Sequence, residues 1–209
     1  MIAIIDYGLG NTGSVVNALD KLGIPNLISC SPIVLKKAKA LILPGVGAAG
    51  QGMENLKKRS LDKVIAEEIK NGKPFLGICL GMQLLFEKSE EGNVVCLGIL
   101  KGKVKKFRKE RKIPQIGWNQ VEFSILNFQF SNNFKPLFRN VPDKSFFYFV
   151  NSYYCEPKDR SSVAGMSKYG EQFASVVSKN NVVGVQFHPE KSGVAGFTLL
   201  KNFFKYYVN

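Results

Sequence analysis

The stretch Pro74-Phe75-Leu76-Gly77-Ile78-Cys79-Leu80-Gly81 limits the folds open to this chain more than any other. An unbroken apolar run reads as a strand buried on both faces, which occurs where helices cover both sides of a parallel sheet. Met82 to Phe86 continues in a helical pattern, so strand passes to helix through a sharp turn that the flanking glycines permit. Two similar runs lie upstream, Ile2–Ile5 and Ala40–Leu43. Between them Val15, Val16, Leu19 and Leu22 recur at helical spacing before Gly23, and Leu61, Val64, Ile65 and Ile69 do the same before Asn71-Gly72. Alternating strands and helices predict a parallel sheet with right-handed crossovers. The second half reads as six short β-rich runs, Val104–Phe107, Val121–Ile125, Phe146–Val150, Val163–Met166, Phe173–Val177 and Val182–Phe187. Turn residues such as Asn132-Asn133, Pro142-Asp143 and Asn180-Asn181 separate them. Phe197, Leu200, Phe203, Phe204 and Tyr207 form the apolar face of a closing helix. The expected fold is α/β: one domain over 1–209, a three-layer sandwich with a mixed, mainly parallel central sheet flanked by helices.

Composition narrows the function classes. No run of about 18 apolar residues is present, so no membrane span is expected. Met1-Ile2-Ala3-Ile4-Ile5-Asp6 lacks a basic region and reads as a core strand rather than a signal peptide. Cys30, Cys79, Cys96 and Cys155 are scattered without metal-ligand spacing, which fits a reduced cytoplasm and no metal site. Gly8-Leu9-Gly10-Asn11-Thr12-Gly13 matches a dinucleotide fingerprint, but Leu27 to Ser31 offers no acid for a ribose. These glycines are read instead as shaping a loop at the end of the first strand, and no cofactor is expected. The net charge is +13, and eight of the twelve residues from Lys101 to Lys112 are Lys or Arg. With only Phe107 interleaved, this segment reads as a solvated loop or edge ribbon rather than a nucleic-acid site. Attraction of phosphorylated metabolites or of an acidic partner surface is the other reading.

Cys79 and His188 carry the chemistry. A thiol between Ile78 and Leu80 stands clear of the sheet at a helix N-terminus, where partial positive charge favours thiolate. A nucleophilic cysteine needs a base, and His188 is the only histidine in 209 residues. If His188 and Glu190 lie on a strand, both side chains share one face and the carboxylate orients the ring.

Gly77-x-Cys79-x-Gly81 followed by a distant Phe187-His188-Pro189-Glu190 resembles the class I (triad) glutamine amidotransferases. Further stretches are similar to one group within them, glutaminase subunits that work with a (β/α)8-barrel cyclase in histidine biosynthesis. These are Ile4 to Asn11, Leu43 to Gly47, Lys73 to Phe86, Gly117-Trp118-Asn119, Tyr148 to Tyr154 and Gln186 to Ser192. The resemblance implies that Cys79, His188 and Glu190 form a catalytic triad acting on glutamine. It implies that the Leu80 N–H, with Gly45, Val46 and Gly47, meets the oxyanion. Gln83, Ser152 and Tyr153 would grip the amino-acid end of the substrate. Asn11, Tyr148 and Lys191 would face the barrel cyclase in a heterodimer that passes ammonia onward, with low glutaminase activity until the partner is loaded. Two positions depart from the group's pattern: Gln115 and Asn151 stand where it usually has histidines. A paralogue feeding ammonia to a sugar-modifying amidotransferase is the alternative; a non-catalytic scaffold or basic nucleic-acid-binding protein is the second.

Overall fold

A computed structural model describes residues 1–109, 112–123 and 136–208. The expected runs over Lys101–Lys112 and Val121–Ile125 therefore lie partly outside the described residues, and Asn132-Asn133 lies wholly outside them. The central sheet has eleven strands. Its first half is parallel: β2 (Asn26–Ser29), β1 (Ile2–Ile5), β3 (Ala40–Leu43), β4 (Phe75–Ile78) and β13 (Val182–Val185) lie side by side in that order. Every residue of β1, β3, β4 and β13 is buried, as the unbroken apolar runs require. From β13 the sheet continues antiparallel through β12 (Glu171–Lys179), β10 (Tyr153–Pro157) and β7 (Gly102–Lys106), with β11 (Val163–Tyr169) also paired to β12. The short β5 (Lys88–Ser89) and β6 (Val94–Val95) finish that end.

Helices cover both faces. On one side α2 (Pro32–Lys37), α3 (Ala49–Lys58), α4 (Leu61–Lys70) and α5 (Leu80–Gln83) bury Leu35, Met53, Leu56, Leu61, Ile65 and Leu80 against the sheet. On the other, α1 (Thr12–Lys21) and α6 (Gly193–Phe203) bury Val15, Leu19, Leu199, Leu200 and Phe203. A separate antiparallel ribbon, β8 (Gln115–Val121) with β9 (Ser145–Asn151), packs on that second side through Phe147 and Phe149. No helix among the described residues is long and apolar enough to cross a membrane.

The basic segment is not an edge ribbon. β7 is an interior strand held by β10 and β5, and its neighbourhood is laced with ion pairs: Lys101–Glu87, Lys105–Glu156 and Arg108–Glu90 at 3.1, 2.7 and 3.2 Å. Such exposed pairs add little stability, but they spend much of the local positive charge within the fold. The glycine-rich loop after β1 crosses the end of β3. A Cβ on Gly10 would sit 3.3 Å from the Pro44 carbonyl oxygen, so this loop packs closely on that backbone.

The turn from β4 to α5 is wedged against β3. A Cβ on Gly81 would overlap the Leu43 carbonyl oxygen, and one on Gly77 would come within 2.7 Å of the Gly81 carbonyl oxygen. Rigid backbone on both sides leaves no route to relieve such a clash. Gly81→Ala is expected to destabilise the protein by at least about 3 kcal/mol in urea unfolding. Gly13→Ala, in the exposed first turn of α1 with nothing within 4 Å, should stabilise it by about 0.5–1 kcal/mol.

Candidate active site

Cys79 has φ 54° and ψ −109°, a left-handed conformation that side chains rarely adopt. The sheet holds it there: the Cys79 N–H donates to the Val185 carbonyl at 2.8 Å, and the Met82 and Gln83 N–H groups donate to its own carbonyl at 3.0 and 3.2 Å. The turn aims the sulfur into a cavity of about 230 Å³. Val46, Gly47, Leu80, Gln83, Glu91, Pro114, Val150, Asn151, Ser152 and Tyr153 complete its lining. The expected substrate-gripping residues Gln83, Ser152 and Tyr153 are thus gathered around the sulfur, while Gly45 stands behind Leu80.

His188 is also at the sulfur, with Glu190 behind its ring, but not by the expected route. β13 ends at Val185, and Pro189 opens a 3₁₀ turn, Pro189–Lys191, with His188 at its start. The turn, not strand alternation, brings Glu190 Oε1 to within 2.8 Å of His188 Nδ1. A proline fixes φ near the helical value and cannot donate to a ladder, which suits the start of that turn. Both side chains are nearly sealed from solvent, at 4% and 2% exposure. Glu190 Oε2 has no hydrogen-bond partner among the described residues. Burial pushes the His188 pKa down, but interaction with the Cys79 sulfur and with Glu190 outweighs it and raises the value from 6.5 to about 10. The ring is therefore an imidazolium at neutral pH, paired with sulfur on one side and carboxylate on the other.

The backbone around the sulfur is not disposed as the oxyanion expectation requires. The Leu80 N–H donates to the Gly45 carbonyl at 3.3 Å and is not open to the cavity. Gln83 likewise spends its Nε2 on the Tyr153 carbonyl at 3.1 Å and on Gln186 Oε1 at 3.0 Å. Glu91, which went unnoticed in the sequence, lines the cavity and accepts the Ala49 N–H at 2.8 Å. Only its folded neighbours identify it, since it sits in an acidic surface-like run.

None of the expected partner-facing residues lines the cavity. The Asn11 side chain caps α1 by accepting the Ser14 N–H at 3.3 Å. Tyr148 packs edge-on against Trp118 with ring centroids 6.0 Å apart, and Lys191 is exposed on the turn that holds Glu190. The departures Gln115 and Asn151 face each other across the ribbon and are buried, Gln115 Nε2 and Asn151 Oδ1 having no partner among the described residues. No group of three or more His, Cys, Asp or Glu among the described residues could hold a metal ion.

Comparison with known proteins agrees with this geometry. The family described as glutamine amidotransferase class-I matches residues 3–206. "Imidazole glycerol phosphate synthase subunit HisH" of Dehalococcoides mccartyi (strain CBDB1) is 45% identical over 98% of this chain and 97% of its own length. The protein of the same name from Chlorobaculum tepidum is 47% identical over 97% and 98%. Among solved structures, one described as a glutamine amidotransferase superposes with a TM-score of 0.75 at 17% identity, covering 98% of each chain. PurLQS from Thermotoga maritima superposes with a TM-score of 0.71 at 20% identity, covering 98% of this chain and 97% of that one. At those identities the structures speak for the fold.

A single imidazole makes the ring directly readable by NMR. The His188 resonances are expected to titrate near pH 10 in the wild type and at lower pH in Glu190→Gln, which loses one of the two partners favouring charge. Because the folded value is raised, the stability this group contributes is fully present below about pH 6.5 and lost as pH climbs through about 10. A wild-type ring titrating near 6.5 would contradict the charged pair.

Proposed function

Because the chain belongs to the class I glutamine amidotransferases, we propose that it is the glutaminase subunit of an imidazole glycerol phosphate synthase, hydrolysing glutamine and delivering ammonia to a barrel cyclase. The observation that carries the chemistry is the strained Cys79 turn, which sets a thiol beside a buried, charged His188–Glu190 pair in an amino-acid-sized cavity. The histidine pathway rests on the relatives named above; nothing in the site favours the sugar-modifying alternative.

In this reading the Cys79 thiolate attacks the side-chain amide carbon of glutamine. The proton it lost already sits on His188, which passes it to the departing nitrogen as ammonia leaves. His188, now neutral, takes a proton from water as that water attacks the thioester; glutamate is released and the sulfur recovers its electron pair. Glu190 orients the ring and supports its charge throughout. The Glu91 carboxylate, lining the same cavity, suits the α-ammonium of the substrate.

The tetrahedral oxygen needs donors that the resting backbone withholds. The Leu80 N–H must exchange the Gly45 carbonyl for the substrate oxygen, so the Gly45–Gly47 segment has to move before full activity. One oxyanion donor is typically worth about 3 kcal/mol of barrier, enough to make the resting state slow. A partner that binds the moved arrangement more tightly would raise activity by population shift.

The ribbon beside the cavity offers the docking face. Ile116, Trp118 and Phe146 are 63, 57 and 54% exposed, and all stand on its outer side with Tyr148 and Val150. An apolar patch next to an active-site mouth suits a partner protein that seals the ammonia route from water. Soluble biosynthetic enzymes of this kind work in the cytoplasm.

The deciding experiment combines this chain with the barrel cyclase of its own organism, glutamine and the phosphoribulosyl-formimino substrate. Imidazole glycerol phosphate is expected from either glutamine or ammonium salt. Cys79→Ser should cut the glutamine-dependent rate on the order of a thousandfold or more and leave the ammonium-dependent rate intact. Product from ammonium alone with wild-type chain would reject the proposed pairing.

A further inference from the structure

Gln186 is fully buried one residue beyond β13 and has no part in the mechanism above. Gln186 and His188 both reach the Cys79 sulfur, while Phe187 between them stacks on Phe147 at 4.1 Å. Gln186 Nε2 lies 3.6 Å from Cys79 Sγ, and its Oε1 lies 3.0 Å from Gln83 Nε2.

The direction of this amide follows from a fixed backbone group. The Tyr153 carbonyl can only accept, so Gln83 must turn its Nε2 toward it. The second N–H of that nitrogen meets Gln186, which must therefore present its oxygen. What remains for the sulfur is the Gln186 N–H. Turned over, Gln186 would oppose two N–H groups at one end and set an oxygen against sulfur lone pairs at the other. Burial raises the cost of either mismatch. Gln83 thus donates to both the Tyr153 carbonyl and Gln186 Oε1, and Gln186 donates in turn to the nucleophile.

We propose that Gln186 is a further catalytic residue, whose Nε2–H donates to the Cys79 sulfur and steadies its negative charge. The inference rests on the glutaminase reading only in taking Cys79 as the nucleophile. The contact acts twice in the cycle. It favours the thiolate that forms the bond to the amide carbon. It also meets the sulfur again when the thioester C–S bond breaks and the electron pair returns to it. A hydrogen bond to a charged sulfur is stronger than one to a thiol, so the donor discriminates between the two forms.

The test is the pH profile of iodoacetamide alkylation at Cys79, read by mass spectrometry on the peptide that carries it. Gln186→Met keeps the bulk and removes the donor. Gln186→Glu keeps the acceptor for Gln83 and sets a carboxylate against the sulfur. At pH 7, alkylation of Cys79 should slow about tenfold in Gln186→Met and further in Gln186→Glu, with both profiles displaced to higher pH. Exposed Cys30 in the same samples should react as in the wild type. Profiles unchanged from wild type in folded variants would overturn the proposal. If circular dichroism shows the Met variant unfolded, the isosteric Glu variant decides. Failure of the glutaminase reading would look different: no glutamate from glutamine in the wild-type complex, with an alkylation profile that still depends on Gln186.

Discussion

The rest of the site depends on one close approach, the turn after β4 pressed against the end of β3. Gly81 sits on the Leu43 carbonyl and Gly77 folds under Gly81, so α5 starts within a residue of the strand's end. That geometry forces Cys79 into a left-handed conformation costing on the order of 1–3 kcal/mol. The cost is met by four-residue strands that are buried throughout and cannot relax without opening the core. In return the sulfur is lifted off the sheet into a cavity, at the positive end of a short helix. Strain, placement and electrostatics at Cys79 therefore have a single cause.

The ribbon is the second device, and its two sides do different things. The inner side, Phe147 and Phe149, packs on Phe187, with ring centroids 4.1 and 5.6 Å away. Its backbone holds the catalytic segment: the His188 N–H donates to the Tyr148 carbonyl at 2.9 Å, and the Tyr148 N–H donates to Ser192 Oγ at 3.0 Å. Cys79 Sγ lies 3.7 Å from the Val150 carbonyl oxygen on the same strand. The outer side is exposed and apolar. Whatever presses on that outer face presses on the backbone that positions both the nucleophile and its base.

How far the sequence revealed this depended on burial. β1, β3 and β4 were legible because strands buried on both faces must be apolar throughout. β2, Asn26-Leu27-Ile28-Ser29, lies at the sheet edge and carries too few apolar residues to stand out. α3, Ala49–Lys58, has two glycines and a thin apolar stripe, and was missed for that reason. The residues around Cys79 and His188 were found because their types are chemically demanding. The mode of their meeting was not: Pro189 marked a break that strand alternation could not supply. Glu91 and Gln186 went unassigned because neither type is diagnostic alone. A carboxylate in an acidic run and a glutamine at a strand end acquire meaning only from what folding sets beside them.

The resting site is prepared for one half of the reaction and not for the other. Negative charge formed on a buried sulfur is tolerable only with compensation, and three groups stand at Cys79 to supply it: the His188 ring, the N-terminus of α5 and the Gln186 N–H. All three are fixed by buried packing, so they are present before any substrate arrives. The developing oxyanion has no such provision, because the Leu80 N–H is held by the Gly45 carbonyl on a segment whose next residue, Val46, is 42% exposed. The surroundings of the Cys79 sulfur are thus built into the core, while the Leu80 N–H is tied to a loop that reaches the surface at Val46. That division suits a glutaminase whose ammonia is wasted unless a partner stands ready to receive it.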